Sequence, residues 1–261
     1  MDEPIWGFYS YLSGDYRVKK EMYNDISIEV YYQHGYKVDQ MIFATKRSLE
    51  YFEGHFTPYQ YRQFRIIEFP RYKGTFAQSF PNTIPYSEAI GFTADLRDKK
   101  NIDYVFYVTA HELAHQWWAH QLLGGDVQGQ TMLVETFAQY FALMVMEEEY
   151  GEDTMKRFLE FELDRYLTDR GGELIEELPV YLVENQPYIH YRKGSVAMYA
   201  LKDYIGEDKV NAALNKMLED YAFKGPPYPT TLDFLADLRQ SAGAEHEALI
   251  TDLLQKIVLL T

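Results

Sequence analysis

The chain has 261 residues, 47% of them apolar and 25% charged, a balance that excludes a disordered polymer and leaves room for one large domain or two modest ones. Its 25 Lys and Arg against 40 Asp and Glu give a formal charge of −15, which disfavours nucleic acid because no dense cationic stripe can displace counterions from phosphates. With no cysteine, disulfides, thiolate metal sites and cysteine nucleophiles are excluded too.

Residues 1–7 lack a basic stretch followed by an apolar one, so no signal peptide is expected, and residues 1–24 read as a lead-in. Ile26 to Tyr32 alternates like a half-buried strand. Val38, Met41, Ile42, Leu49 and Phe52 then share one helical face, and Gly54 and Pro58 end that helix. A second strand over Gln63 to Phe69 stops at Pro70. The stretch from Phe76 to Phe92, with Pro81 and Pro85, is expected to be extended and to lie at a sheet edge, since proline cannot donate to a ladder.

From Tyr104 the pattern turns helical. One helix is expected over Val105 to Leu122 and a second over Met132 to Tyr150, separated by a glycine-rich loop at 124–129. The longest apolar run, Phe141 to Met146, is far short of the ~18 residues that span a bilayer. Val210, Ala213, Leu214, Met217, Leu218 and Tyr221 keep a helical period, and Thr231 is the expected N-cap of the helix after the 224–229 loop. The end, apolar from Ile257 and without a stop signal, reads as cut from a longer chain. The expected organisation is one α+β domain in two lobes, a mixed sheet lobe over residues 25–103 and a mainly helical lobe over 104–261.

The informative stretch is His111-Glu-Leu-Ala-His115. Positions four apart on a helix differ by about 40° in azimuth, so both imidazoles project from one face and can share a metal ion. Glu112 sits about 100° round, beside the metal, where it can take a proton from a water. Imidazole suits zinc, and a third ligand should leave one position open. A third His six residues after the second is ruled out, because Gln121 stands there. His120, about 140° off the metal face of a continuing helix, is expected to be structural. The remaining option is a Glu from the next helix, and Glu135 is so placed. Alone, Glu135 would be an acid favoured by a helix N-terminus; together with the histidine pair it reads as a ligand.

His111-Glu-Leu-Ala-His-Gln-Trp-Trp followed by Glu135-Thr-Phe-Ala-Gln-Tyr resembles the gluzincin aminopeptidases, the aminopeptidase N-like family. Residues 116–134 lie between the second His and the Glu, one residue more than that family's usual spacing. Pro85-Tyr-Ser-Glu-Ala-Ile-Gly resembles the family's Gly-Ala-Met-Glu-Asn-Trp-Gly substrate strand, which implies that Glu88 binds the substrate's free α-amine. Ile189-His-Tyr-Arg-Lys-Gly-Ser resembles Ser-Tyr-x-Lys-Gly-Ala, which implies that Tyr191 is the catalytic tyrosine, with Tyr188 in reserve. The resemblance further implies a thermolysin-like catalytic domain holding one zinc ion on His111, His115 and Glu135, with Glu112 as general base. Its substrate would be a peptide with a free N-terminus. A zinc endopeptidase, or a non-catalytic zinc domain that binds peptides or a membrane partner, is the alternative. The stretches Gly171 to Pro179 and Glu184 to Gly194 are similar to peptidase domains fused to permease-like segments in bacteria, implying a membrane-protein parent.

Overall fold

The computed structural model describes residue 5, residues 7–97 and residues 102–259. The readings of the two chain ends therefore fall partly outside the described residues.

A four-stranded sheet comes first, in the order β1 (Arg17–Tyr23), β2 (Ile26–Tyr32), β3 (Gln63–Phe69), β4 (Thr83–Ser87). β1 runs antiparallel to β2, whereas β2–β3 and β3–β4 are parallel. Ile26, Ile28 and Val30 of β2 and Phe64 and Ile66 of β3 are buried, every second residue on one face, as a half-covered sheet requires. β1 lies inside the expected lead-in. Its sequence Arg-Val-Lys-Lys-Glu-Met-Tyr stays exposed or half-buried throughout, and charge at such an edge discourages further pairing.

α1 (Val38–His55) covers the sheet with Met41, Ile42, Leu49 and Phe52, as its period predicts. The stretch after β3 is not one extended run. Phe80 and Thr83 exchange backbone hydrogen bonds of 2.8 and 3.0 Å around Pro81-Asn82, with Asn82 at φ 54°. Proline pre-sets the first turn position and asparagine tolerates the positive φ of the second. Residues 76–80 thus fold back antiparallel onto β4, with Ala77 facing Tyr86.

The helical region consists of α2 (Tyr104–Ala114), α3 (Phe137–Tyr150), α4 (Glu152–Gly171), α5 (Gly194–Ile205), α6 (Glu207–Tyr221), α7 (Thr231–Ala242) and the short α8 (Glu247–Ile250). The protein is therefore α+β, a mixed sheet followed by helices. Among the described residues no helix is long and apolar enough to cross a membrane. α2 is capped by Asp103, whose side chain accepts from Phe106 N at 2.9 Å. It is buried on nearly every side and packs between α1 and α3.

Two expectations need correction here. The helix from Val105 stops at Ala114 instead of reaching Leu122, because the following residues are tied sideways. Gln116 donates to Ser79 Oγ and Phe80 O, Trp117 Nε1 donates to Thr57 O, and His115 Nδ1 bonds Trp118 O. The cap of α7 is Thr230, one residue earlier than expected. Thr230 Oγ1 accepts from Leu232 N and Asp233 reaches back to Thr230 N, while the Thr231 hydroxyl donates to Tyr181 O.

Candidate metal centre

The last turn of α2 carries His111, Glu112 and His115 into the interior, each 6–7% exposed. Glu135 arrives from a π-helical turn, Met132–Thr136, that leads into α3. The donor atoms form a near-equilateral triangle: His111 Nε2 to His115 Nε2 is 3.2 Å, and these lie 3.3 and 3.4 Å from Glu135 Oε2. Ligands bound at 2.0–2.1 Å to one tetrahedral ion stand about 3.3–3.4 Å apart. The spacing therefore fits a single metal ion.

The protonation pattern fits as well. Trp118 O accepts a 3.1 Å hydrogen bond from His115 Nδ1, which leaves the Nε2 lone pair for a metal. Glu135 Oε2 is buried and makes no hydrogen bond. Burial would raise the Glu135 carboxyl, yet His115 and His111 outweigh it and hold the group well below the usual range, so it stays anionic. Burial pushes Glu112 up to about 7, with the Glu135 charge adding to the shift and His115 opposing it. A carboxylate so placed can take up and release a proton near neutral pH.

These residues floor a cleft of about 620 Å³. Tyr191 lines it from a second π-helical turn, Tyr188–Lys193, its ring 5.8 Å from that of His111. That turn is braced from beneath. Arg192 grips both oxygens of buried Glu162 at 2.8 Å, Lys193 meets Glu177 at 2.5 Å with both side chains buried, and Gln139 donates to Tyr191 O. Gly194 follows because a Cβ there would lie 2.7 Å from Thr136 Cγ2, on the turn that carries Glu135. Tyr188 points elsewhere, bonded to Glu173 and stacked on Tyr166.

One wall of the cleft is the strand 76–79. Gln78 N and Phe80 N donate to β4 and Phe76 O accepts from it. By alternation the main-chain groups of Ala77 and Ser79 point away from β4, where an extended peptide can pair with them. The Ser79 backbone lies beside Glu112. Gln116, the residue after the second histidine, fastens this strand to the metal helix by donating to Phe80 O and accepting from Asn82 N, both at 2.9 Å.

The structure does not bring Glu88 to this cleft. It stands just past β4, where its Oε1 accepts from Arg71 N and Nε at 3.2 and 3.0 Å. Its Oε2 is 3.6 Å from His34 Nδ1, which also meets buried Glu68 at 2.5 Å. His34, Glu68 and Glu88 form a second cluster of metal-type donors, but its atoms are already paired among themselves and with Arg71. The segment that borders the cleft is 76–79, upstream of the stretch that resembles the family's substrate strand. The Pro81-Asn82 turn was the available signal for it. Among the described residues, Glu112 and Glu135 are the cleft's only carboxylates.

The sequence pattern of the Peptidase family M1 domain matches residues 40–253. The chain belongs to peptidase family M1. Similar proteins include Tricorn protease-interacting factor F2 of Thermoplasma volcanium, 25% identical over 221 residues that cover 80% of this chain and 28% of that protein. Aminopeptidase M1-B of Oryza sativa is 25% identical over 95% of this chain and 28% of its own length. Human Aminopeptidase N is 23% identical over 93% and 26%. The chain thus spans little more than a quarter of the length of these three relatives.

Proposed function

We propose that this M1 domain is a zinc-dependent peptidase that hydrolyses peptides with the water-activating group beside the metal. The observation that carries the reading is the His111–His115–Glu135 triangle with Glu112 adjoining it on the floor of an open cleft. Zinc held there would polarise a scissile carbonyl and lower the pKa of a water to about 7. Glu112 takes the proton of the attacking water and returns it to the leaving amine. The Tyr191 phenol, kept protonated by burial and by Glu135, donates to the oxyanion as the carbonyl carbon becomes tetrahedral. Ala77 and Ser79 hold the substrate main chain along the wall.

Removal of residues from the amino end is the first reading, supported by the aminopeptidases among the similar proteins. A second reading, internal cleavage, is favoured by one observation: Glu88 is engaged with Arg71, and among the described residues the cleft's carboxylates are Glu112 and Glu135. We also read residues 25–103 and 104–261 as the two lobes of a thermolysin-like unit, and the parent as a bacterial membrane protein.

The test is hydrolysis of a matched peptide pair, one with a free amine and one acetylated, by zinc-loaded and chelated protein. Zinc-dependent cleavage of the free-amine peptide alone supports an aminopeptidase, and cleavage of both supports an endopeptidase. Absence of cleavage by zinc-loaded protein would sink the catalytic reading.

A further inference from the structure

His120 is 6% exposed and lines the cleft beside Ser79, His115 and Leu123. Both ring nitrogens are buried and neither makes a hydrogen bond. The Ser79 backbone lies close to the ring and opposes the lowering of its pKa that burial causes. The residue before it, Ala119, has φ 129°, a backbone conformation that L side chains rarely adopt. Unpaired buried nitrogens and backbone strain are each unfavourable, and folded proteins retain them mostly where they serve a site. Here both fall on consecutive residues, and the strained one turns the imidazole into the cleft. His120 is not one of the donors that converge on the metal position.

We propose that His120 is a substrate-binding residue, its imidazole hydrogen bonding to the main chain of a peptide lying against strand 76–79. An uncharged imidazole offers one N–H and one lone pair, and a peptide unit offers one carbonyl and one N–H, so the two are complementary. Ser79, on the edge where that peptide pairs, lines the same cleft beside the ring, and binding satisfies nitrogens that otherwise have no partner. The proposal rests on the peptidase reading above.

The test compares zinc-loaded wild type, His120→Leu and His120→Asn for binding of two probes. A dipeptide hydroxamate offers the metal ligand plus a peptide unit, and acetohydroxamate offers the metal ligand alone. Loss of one hydrogen bond to the peptide predicts about tenfold weaker binding of the dipeptide hydroxamate to His120→Leu. Acetohydroxamate binding and zinc stoichiometry should be unchanged, and His120→Asn should recover part of the loss. His120→Leu should also melt higher than wild type, since it removes two unsatisfied nitrogens at similar volume. Equal dipeptide hydroxamate affinity in wild type and His120→Leu would overturn the proposal, as would equal weakening of both probes. Failure of zinc-loaded wild type to bind either probe would overturn the peptidase reading, and this proposal with it.

Discussion

Glu112 and Tyr191 reach the same cleft from different elements, and the proposed reaction gives them different work there. Glu112, buried with its carboxyl pushed up to about 7, is suited to move a proton but holds no metal. Glu112→Gln should therefore keep one zinc per chain while turnover falls about 10²–10⁴-fold; loss of zinc in that variant would remove the base assignment. Tyr191→Phe removes one oxyanion donor and should lower kcat about 10²-fold, with KM and metal content little changed. Parallel kinetics and metal analysis check both. At this scale the sequence was readable where the chemistry is contiguous: two histidines and a glutamate on one helical turn declare themselves by spacing alone. It misled where placement depends on the backbone between motifs. His120, about 140° off the metal face of a continuing helix, is indeed not among the converging metal donors, but the helix ends at Ala114 and the ring, after the positive φ of Ala119, lines the cleft. Glu88 was placed by the residues flanking an acid, and the Pro81-Asn82 turn, which moves the cleft wall upstream, outweighs that likeness.

Among the elements, the two π-helical turns decide the geometry. One carries Glu135 and the other Tyr191, and wide turns of this kind recur at functional sites. No hydrophobic period announces them, which is why Met132 to Tyr150 read as an ordinary helix. They meet where Thr136 Oγ1 donates to His190 O at 2.9 Å and Gly194 leaves room for the Thr136 side chain. Gly194→Ala should cost about 1–3 kcal/mol in urea denaturation, because the new methyl forces the turns apart. Zinc affinity and turnover should fall together, and adding Thr136→Ser, which deletes the closer clashing atom, should restore part of each. Unchanged stability would show that the turns have slack. β1 was likewise hidden, since an exposed strand rich in Lys and Arg carries no apolar alternation to detect.

For the molecule as a whole, the sheet holds an acid-sensitive post. Burial would raise Glu29, but hydrogen bonds from Lys20, Tyr31 and Arg65 outweigh it and bring the carboxyl down to about 2 from an ordinary 4.5. Below 4.5 the unfolded chain binds this proton and the folded one does not, so the contribution is present above 4.5 and drains away as pH falls toward 2. Wild type should lose stability over that window more steeply than Glu29→Gln, measured by urea midpoints at successive pH values. Equal slopes would refute the role.

The free main-chain edge at Ala77 and Ser79 has a colloidal side as well. Main-chain groups able to pair with an extended substrate are also able to pair with the strand of a neighbouring molecule, with little regard to side chains. A formal charge of −15 keeps such neighbours apart by mutual repulsion. Acidification toward the isoelectric point, or heavy salt, withdraws that protection. A peptide seated in the groove restores it, so saturating ligand should keep concentrated protein clear where the empty groove seeds turbidity.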